Sequence, residues 1–473
     1  MISCRTFALA TAVVVLAGCS SAAPTPAAST TSPEYQQAYD VGLDAYVYGL
    51  PLLVTDATYR TMTSVNVSQG AYGPVNQFNS VRSTNTSSST AVVAPGASSL
   101  SSIAWLDLRD EPQVLHVPRV KNHNFVLALL DPYTQNLTNL GNASHTAPGD
   151  FAILTPEQID LVVPRGVRRI DVDHWRIWII GSTELNGPDD VAAVNRIQDG
   201  YTLTPLSEYG TKYEPPQPAQ PQTTVTQYAP AEGVQFFDQL GDQLAKFPPP
   251  SADRPALQRF ASVGIGPGLR PSTDTSLSQD TLQGLSDAVA AGPGRVQSDL
   301  KTLYARDFGT HNGYLLGGFG TYGTDYAKRA VISQIGLGAF VSHQAMYAIA
   351  WDDRAKNALN GSTTYRLHLR KPPPVRQSWS VTVYTLKGAL VSNPENRYAL
   401  NDTSRLHRNP DGSVDLYLAA TKPADPAKAA NWLPTPAGEG FEVMWRLIAP
   451  DPSAIDGILD GTGWQPPRIT AQG

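Results

Sequence analysis

Cysteine is nearly missing from this chain: 473 residues carry two, Cys4 and Cys19. Cys4 falls inside a segment with the character of a removable leader, so the mature protein keeps a single thiol at most. An internal disulfide and a thiolate zinc site are thereby excluded. Charge is scarce as well. Asp, Glu, Lys and Arg make up 16% of the chain, against about 25% in ordinary soluble proteins. The formal net charge is -6, whereas a protein that displaces counterions from nucleic acid needs a basic face. Nucleic acid is therefore not an expected partner.

Clustered metal ligands are missing too. The histidines stand singly at 116, 123, 145, 174, 311, 343, 368 and 407, with no HExxH, no His-x-His and no carboxylate cluster beside them. No metal and no cofactor is expected. "GIGPG" (264–268) follows a helical pattern rather than a strand and lacks a downstream acid, so it reads as a turn and not a nucleotide loop. There is no GxSxG elbow. "WDDRAKNALNGS" (351–362) has neither the ligand spacing nor the terminal Glu of a calcium loop and is expected to join two strands.

What is there begins with an export signal. Arg5 precedes the apolar "FALATAVVVLA" (7–17), too short to span a bilayer, and small residues follow it. The next residues, "LAGC" (16–19), match a bacterial lipobox, which makes Cys19 the expected lipidation site, carrying palmitate-type acyl chains. Residues 1–18 are then a signal peptide and 19–33, "CSSAAPTPAASTTSP", a flexible tether. No later run reaches 18 apolar residues. The expected product is an exported protein held at the outer face of the cell membrane by its lipid alone.

The periodicity changes along the chain. Residues 34–65 show helical spacing at Tyr39, Leu43, Tyr46 and Val47, with a break or bend predicted at Gly49–Pro51. From 86 to 204 short apolar runs separated by turns predict strands: "VLHV", "FVLALL", "FAIL" and "WRIWII". "DDVAAVNRIQDGYTLTPL" (189–206) reads as a helix capped by Asp189 or Asp190. Residues 205–233 are a proline-rich linker or strap. Helices follow in 234–345: one striped by Phe237, Leu240 and Leu244, one behind a Ser251 cap, and one ended by Gly292–Pro293. In 346–473 the period returns to two. Tyr365, Leu367 and Leu369, then Trp379, Val381 and Val383, then Phe441, Val443, Trp445 and Leu447 form one face, opposed by Arg366, His368 and Arg370, then Ser380, Thr382 and Tyr384, then Glu442, Met444, Arg446 and Ile448. "NPDGSV" (409–414) reads as a hairpin turn.

"SWSVTVYTLKGALVSNPENRYALND", "NPDGSVDLYL", "NWLPTPAGEGFEVMWRLIAPD" and "GWQPPRI" resemble the C-terminal half of a bacterial family with two paired domains of unknown function, 1254 and then 1214. "YVYGLPLLV", "PVNQFN", "IAWLDLRDEPQVLHVP" and "LLDPYTQNLTNLG" resemble its N-terminal half, and "DYAKRAVISQIGLGA" the helical segment between. The resemblance implies a mainly β fold with an α segment: an N-terminal immunoglobulin-like β-sandwich (34–204), a central helical domain (234–345) and a C-terminal jelly-roll-like β-sandwich (346–473). It implies no reaction. The chain also departs from the family's pattern. Ser98-Ser99-Leu100-Ser101 stands where the family shows an Asn-Asp-Thr-Leu-Tyr run, Asn142-Ala143-Ser144-His145-Thr146 where it shows Arg-Thr-Thr-Gly, and Thr385 where it shows Asp. Several ionisable groups of the family are thus absent, which implies binding or an altered substrate.

Loops that carry aromatics and amides are the places to seek a ligand. Asn396, Arg397, Asn431 and Trp432 are the first candidates, expected to share one edge of the C-terminal sandwich; Tyr133, Arg329, Trp379 and Tyr398 complete the ligand-binding set. Asp131, Asp325 and Asp402 are the nominees for catalytic carboxylates, each with a plain structural role as the alternative. Three functions remain open at this level. The first is a cell-envelope lipoprotein that binds a neutral or carbohydrate-like ligand, such as an envelope glycan, between its β domains. The second is a secreted hydrolase whose carboxylates meet in the inter-domain cleft. The third is an assembly protein, with homo-oligomers undecided.

Overall fold

The computed structural model describes residues 31–89, 93–308, 312–316 and 319–472. The expected signal peptide, Cys19 and most of the expected tether lie outside the described residues. The first helix, α1 (Pro33–Met62), starts at Ser32, whose hydroxyl accepts the Tyr35 amide. No break occurs at Gly49–Pro51: the helix runs through Pro51. Leu50, Leu52 and Leu53 are buried around that proline, and packing of this kind offsets the one hydrogen bond it removes.

The N-terminal sandwich follows. Its elements are β1 (Asn79–Ser80), β2 (Ser99–Asp107), β3 (Gln113–Val117), β4 (Phe125–Leu130), β5 (Asn136–Gly141), β6 (Gly149–Leu154), β7 (Arg168–Asp171), β8 (Arg176–Glu184), α2 (Val191–Asp199) and β9 (Thr202–Pro205). A five-stranded sheet, β1-β2-β8-β4-β5, packs on a four-stranded one, β7-β6-β3-β9. Ile177 and Ile179 of β8 enter the core between the sheets with Leu115, Leu127 and Phe151. Side chains alternate along a strand, so Trp178, Ile180, Ser182 and Glu184 face the other way. The α2 cap differs from expectation: Asp190 makes no cap bond and instead accepts the Asn186 amide and meets His123, both at 2.8 Å.

The proline-rich stretch is an irregular strap laid against the end of α1. The amides of Gln222, Thr226 and Tyr228 donate to the side chains of Asn66, Ser64 and Thr61. Then come α3 (Gln235–Lys246), α4 (Arg254–Ala261), α5 (Gln279–Phe308), β10 (Leu315–Leu316) and α6 (Tyr326–Ile335). These helices share their core with α1 through Tyr46, Phe236, Leu240, Phe260 and Leu285. Two expectations fail here. Ser251 only opens a short 3-10 turn, and Asp253 holds the cap position, its carboxylate accepting the hydroxyls of Tyr48 and Tyr326 at 3.0 and 2.8 Å. Gly292–Pro293 is no stop, because α5 continues to Phe308. A Cβ at Gly292 would lie 2.4 Å from the Tyr46 ring, so glycine serves the contact between α1 and α5 rather than a helix end.

The C-terminal sandwich holds β11 (Ala345–Ala350), β12 (Tyr365–Leu369), β13 (Val375–Thr385), β14 (Ala399–Asn401), β15 (Val414–Ala419), α7 (Pro426–Ala430), β16 (Trp432–Pro434), β17 (Phe441–Pro450), α8 (Ile455–Asp460) and β18 (Ile469–Ala471). Its sheets are β10-β11-β17-β13-β14 and β16-β15-β12-β18. The alternating residues meet as the period of two requires: Leu367, Val381, Val443 and Trp445 are buried in one core. The turn at Asn409–Gly412 forms, with Gly412 at φ 83°. It does not close a hairpin, since β15 pairs with β12 and β16. The fold is thus mainly β with a central helical segment. The two five-stranded sheets meet through their outer faces, where Trp105 and Trp178 of one pack with Tyr347 and Ile448 of the other.

Candidate functional site between the sandwiches

The facing sheets do not close completely. Between them lies an apolar chamber of about 150 Å³, walled by Ile103, Trp178 and Ile180 on one side, Tyr347, Met444 and Ile448 on the other, and roofed by the turn after α6. Outside it is a polar basin of about 340 Å³ bordered by His123, Asn142, Gln377, Trp379, Asn401 and Asp402. A wider outer basin of about 860 Å³ continues past Asn396, Arg397 and Tyr398. Ser98 borders all three compartments, and Asn401 and Thr403 border both basins. They form one groove along the domain junction, a favoured position for ligand sites.

Backbone contacts hold the junction in place. The segment before β2 crosses onto the C-terminal sheet, where Tyr384 Oη donates to the Pro95 carbonyl at 2.7 Å and Arg446 Nη2 to that of Ala94 at 2.6 Å. Arg446 Nη1 is buried with no hydrogen-bond partner among the described residues. Glu184, the last residue of β8, borders both the chamber and the polar basin. Burial pushes its carboxyl up to about 7; the Arg446 guanidinium pulls it down and the Asp402 charge pushes it further up. Asp402 is itself raised by burial. Glu442, on the same face of β17 as Arg446, is lifted to about 7 by burial, while the Trp351 indole N–H at 2.7 Å and Arg446 counter this. Near neutral pH these glutamates divide between neutral and ionised forms, so Glu184 can donate as well as accept a hydrogen bond.

The residues singled out from sequence fall into three places. Trp379, Asp402, Asn396, Arg397 and Tyr398 border the groove. Within it, Asn396 is in the left-handed region (φ 49°) and accepts the Tyr398 hydroxyl, and Arg397 donates through both terminal nitrogens to the last carbonyls of α7. Asn431 and Trp432 do not share that edge. Asn431 accepts the His407 amide and donates to the carbonyls of His407 and Asp415. Trp432 is 4% exposed and donates to the Ala419 carbonyl at 2.8 Å. Buried backbone groups must find partners, and these two side chains supply them.

Asp131, Tyr133 and Arg329 meet each other instead, inside the helical core. Asp131 accepts the amides of Tyr133 and Gln135, and burial lifts its carboxyl to about 7, against the pull of Arg329. Arg329, 1% exposed, lies against the rings of Tyr48, Tyr133 and Tyr326. Asp325 is exposed and caps α6 through the Lys328 amide at 3.0 Å. Among the described residues no group of three or more His, Cys, Asp or Glu is set to hold a metal ion.

Glu184 and Arg446 escaped the sequence reading. A signal existed: Glu184 and Arg446 are charged residues on strands whose other positions are largely apolar. An outward charge on a strand ordinarily means solvent, and only the second sandwich turns these faces inward. The departures from the family's pattern fall here too. Ser98, Ser99 and Ser101 line the chamber and Asn142 the polar basin.

Comparison with known proteins gives the same two halves. The model of the family described as "Protein of unknown function (DUF1254)" matches residues 75–205, and that of "Protein of unknown function (DUF1214)" matches 344–452. No curated protein matches. Among solved structures, the VPA0106 protein from Vibrio parahaemolyticus is similar, with a TM-score of 0.63 and 21% identity over 92% of this chain and 100% of that one. An uncharacterised protein from Burkholderia cenocepacia aligns at a TM-score of 0.43 and 13% identity, over 93% and 94% of the two chains. The first similarity is one of fold.

Proposed function

This chain belongs to the family that pairs a DUF1254 domain with a DUF1214 domain, and from that premise we propose that it is a cell-envelope lipoprotein whose inter-domain groove binds a neutral, hydroxyl-rich ligand of the carbohydrate type. One observation carries the reading: a continuous groove bordered by the side-chain amides of Asn122, Asn142, Gln377 and Asn401 and the hydroxyls of Ser98, Ser378 and Thr403. Amide side chains can donate and accept at once, as a sugar hydroxyl does. The low charge of the whole chain agrees with a ligand that carries none.

Thermal-shift and calorimetric titration of the protein without its leader against neutral oligosaccharides tests this. Saturation at about a hundred times the Kd adds about 2.7 kcal/mol of stability. A flat response across neutral glycans, with a clear response to charged ligands, would overturn it. Membrane attachment has its own test: Cys19→Ser should abolish palmitate incorporation and release the protein from the membrane fraction.

Hydrolysis is the second reading, favoured by the pairing of Glu184 with Asp402, since the Asp402 charge raises a carboxyl that burial has already raised. A carboxyl raised by burial beside a second carboxylate is the pairing a general acid and its partner use. Glu184 would be the acid and Asp402 the base or nucleophile. Loss of turnover of a bound glycan in Glu184→Gln, with binding retained, would favour it; a wild-type protein that binds the glycan for hours without product would sink it.

A further inference from the structure

A ligand made only of hydroxyls would leave the chamber empty. The chamber lies at the inner end of the groove, past Glu184, and its walls are Ile103, Trp178, Ile180, Tyr347, Met444 and Ile448. A space of about 150 Å³ can accept a benzene-sized molecule, and the volume here is about 150 Å³. At its edge the wall turns polar. Arg446 holds Ala94 with one terminal nitrogen and leaves the other buried with no hydrogen-bond partner among the described residues, and Glu184 borders the same space. A buried donor without a partner costs free energy, and a ligand oxygen is the group that would satisfy it.

We propose that the ligand is amphipathic: a polar portion in the basins joined, through an oxygen read by Arg446 and Glu184, to one aromatic ring or short branched aliphatic group that fills the chamber. This rests on the reading of the groove as a site for hydroxyl-rich ligands and names the class within it. The order of the compartments dictates the order of the ligand. Ser98 and Glu184 make the boundary between chamber and basin, so the linking oxygen must lie there. The proposal also accounts for an apolar chamber bordered by small hydroxyls, Ser99 and Ser101 on β2 and Ser380 on β13, since larger side chains at those positions would occupy the space.

The test uses three probes on the protein without its leader: phenol, the methyl glycosides of neutral hexoses and the phenyl glycosides of the same hexoses, titrated by calorimetry. Filling a pocket by even one methylene changes affinity about tenfold or more. Phenyl glycosides should therefore bind at least about tenfold more tightly than methyl glycosides, and phenol should bind alone. Ser101→Leu should remove the phenyl advantage, so that phenyl and methyl glycosides bind it with equal affinity. Ser380→Leu, which enters the chamber from the other sandwich, gives the same readout if Ser101→Leu fails to fold. Methyl and phenyl glycosides that bind equally would overturn the inference and leave the proposed function standing. Phenol binding that Ser101→Leu blocks, with no glycoside bound, would support the chamber assignment and overturn the proposed function. No binding of phenol or of any phenyl glycoside would overturn the inference outright.

Discussion

Glu184 ends a strand of the first sandwich and Arg446 stands on a strand of the second, yet the guanidinium is the main force opposing the burial that lifts Glu184 to about 7. The electrostatics of the groove therefore depend on two domains being held together. Separating them would release the glutamate toward the usual carboxylate range and expose the arginine.

This coupling has a sign that can be measured. Glu184, Glu442 and Asp131 all carry native carboxyls lifted to about 7, above the usual value of about 4. A native state that keeps its protons longer than the unfolded chain is favoured at low pH and loses that advantage as pH rises through the native value. The melting temperature, followed by circular dichroism, should fall between about pH 4.5 and pH 7 and then level. Glu184→Gln and Glu442→Gln should each shallow the fall and raise the melting temperature at pH 8; slopes identical to wild type in both would refute the assignment.

Alanine at the groove and alanine at the sheet should behave as opposites. Asp402→Asn and Gln377→Ala change residues bordering the polar basin and are expected to abolish the ligand-induced thermal shift while moving the melting temperature of the free protein little. Trp432→Ala removes a side chain 4% exposed whose indole N–H serves the Ala419 carbonyl. It should cost about 3 to 5 kcal/mol in urea unfolding and leave ligand affinity intact in the folded fraction.

The Arg329 cluster is a matter of stability. A guanidinium 1% exposed and surrounded by three tyrosine rings beside the buried Asp131 is an ionic core. Arg329→Ala leaves Asp131 without its compensating charge and should destabilise by about 3 to 5 kcal/mol in urea. The double variant Arg329→Met with Asp131→Asn should recover part of that loss.

Gly292 gives a prediction against simple helix propensity. Alanine in a helix interior is normally better than glycine by about 1 kcal/mol, but here its Cβ would overlap the buried Tyr46 ring. Gly292→Ala should therefore destabilise by about 1 to 3 kcal/mol. Combining it with Tyr46→Leu should reduce the penalty, as a double-mutant cycle in urea would reveal.

Local rules read well where the signal was local. The period of two placed Trp379, Val381, Val443 and Trp445 in one core, as observed, and the runs at 114–117 and 125–130 are strands. Punctuation residues misled where packing overrode them: Pro51 and Pro293 both sit inside 30-residue helices. The loop residues were only partly informative, because Asn396 and Trp432, alike in sequence context, end in an open basin and a closed core respectively.

The sequence by itself determined which residues alternate and which lack charge, and through them the two β regions and the helical segment between, since these follow from near-neighbour spacing and composition. Only the tertiary structure decided that the outer faces of β8 and β17 look at each other instead of at water. A strand's outer face carries the same alternation whether it meets solvent or another domain, so Glu184, Arg446 and the chamber between them became a site only when the second sandwich closed over the first.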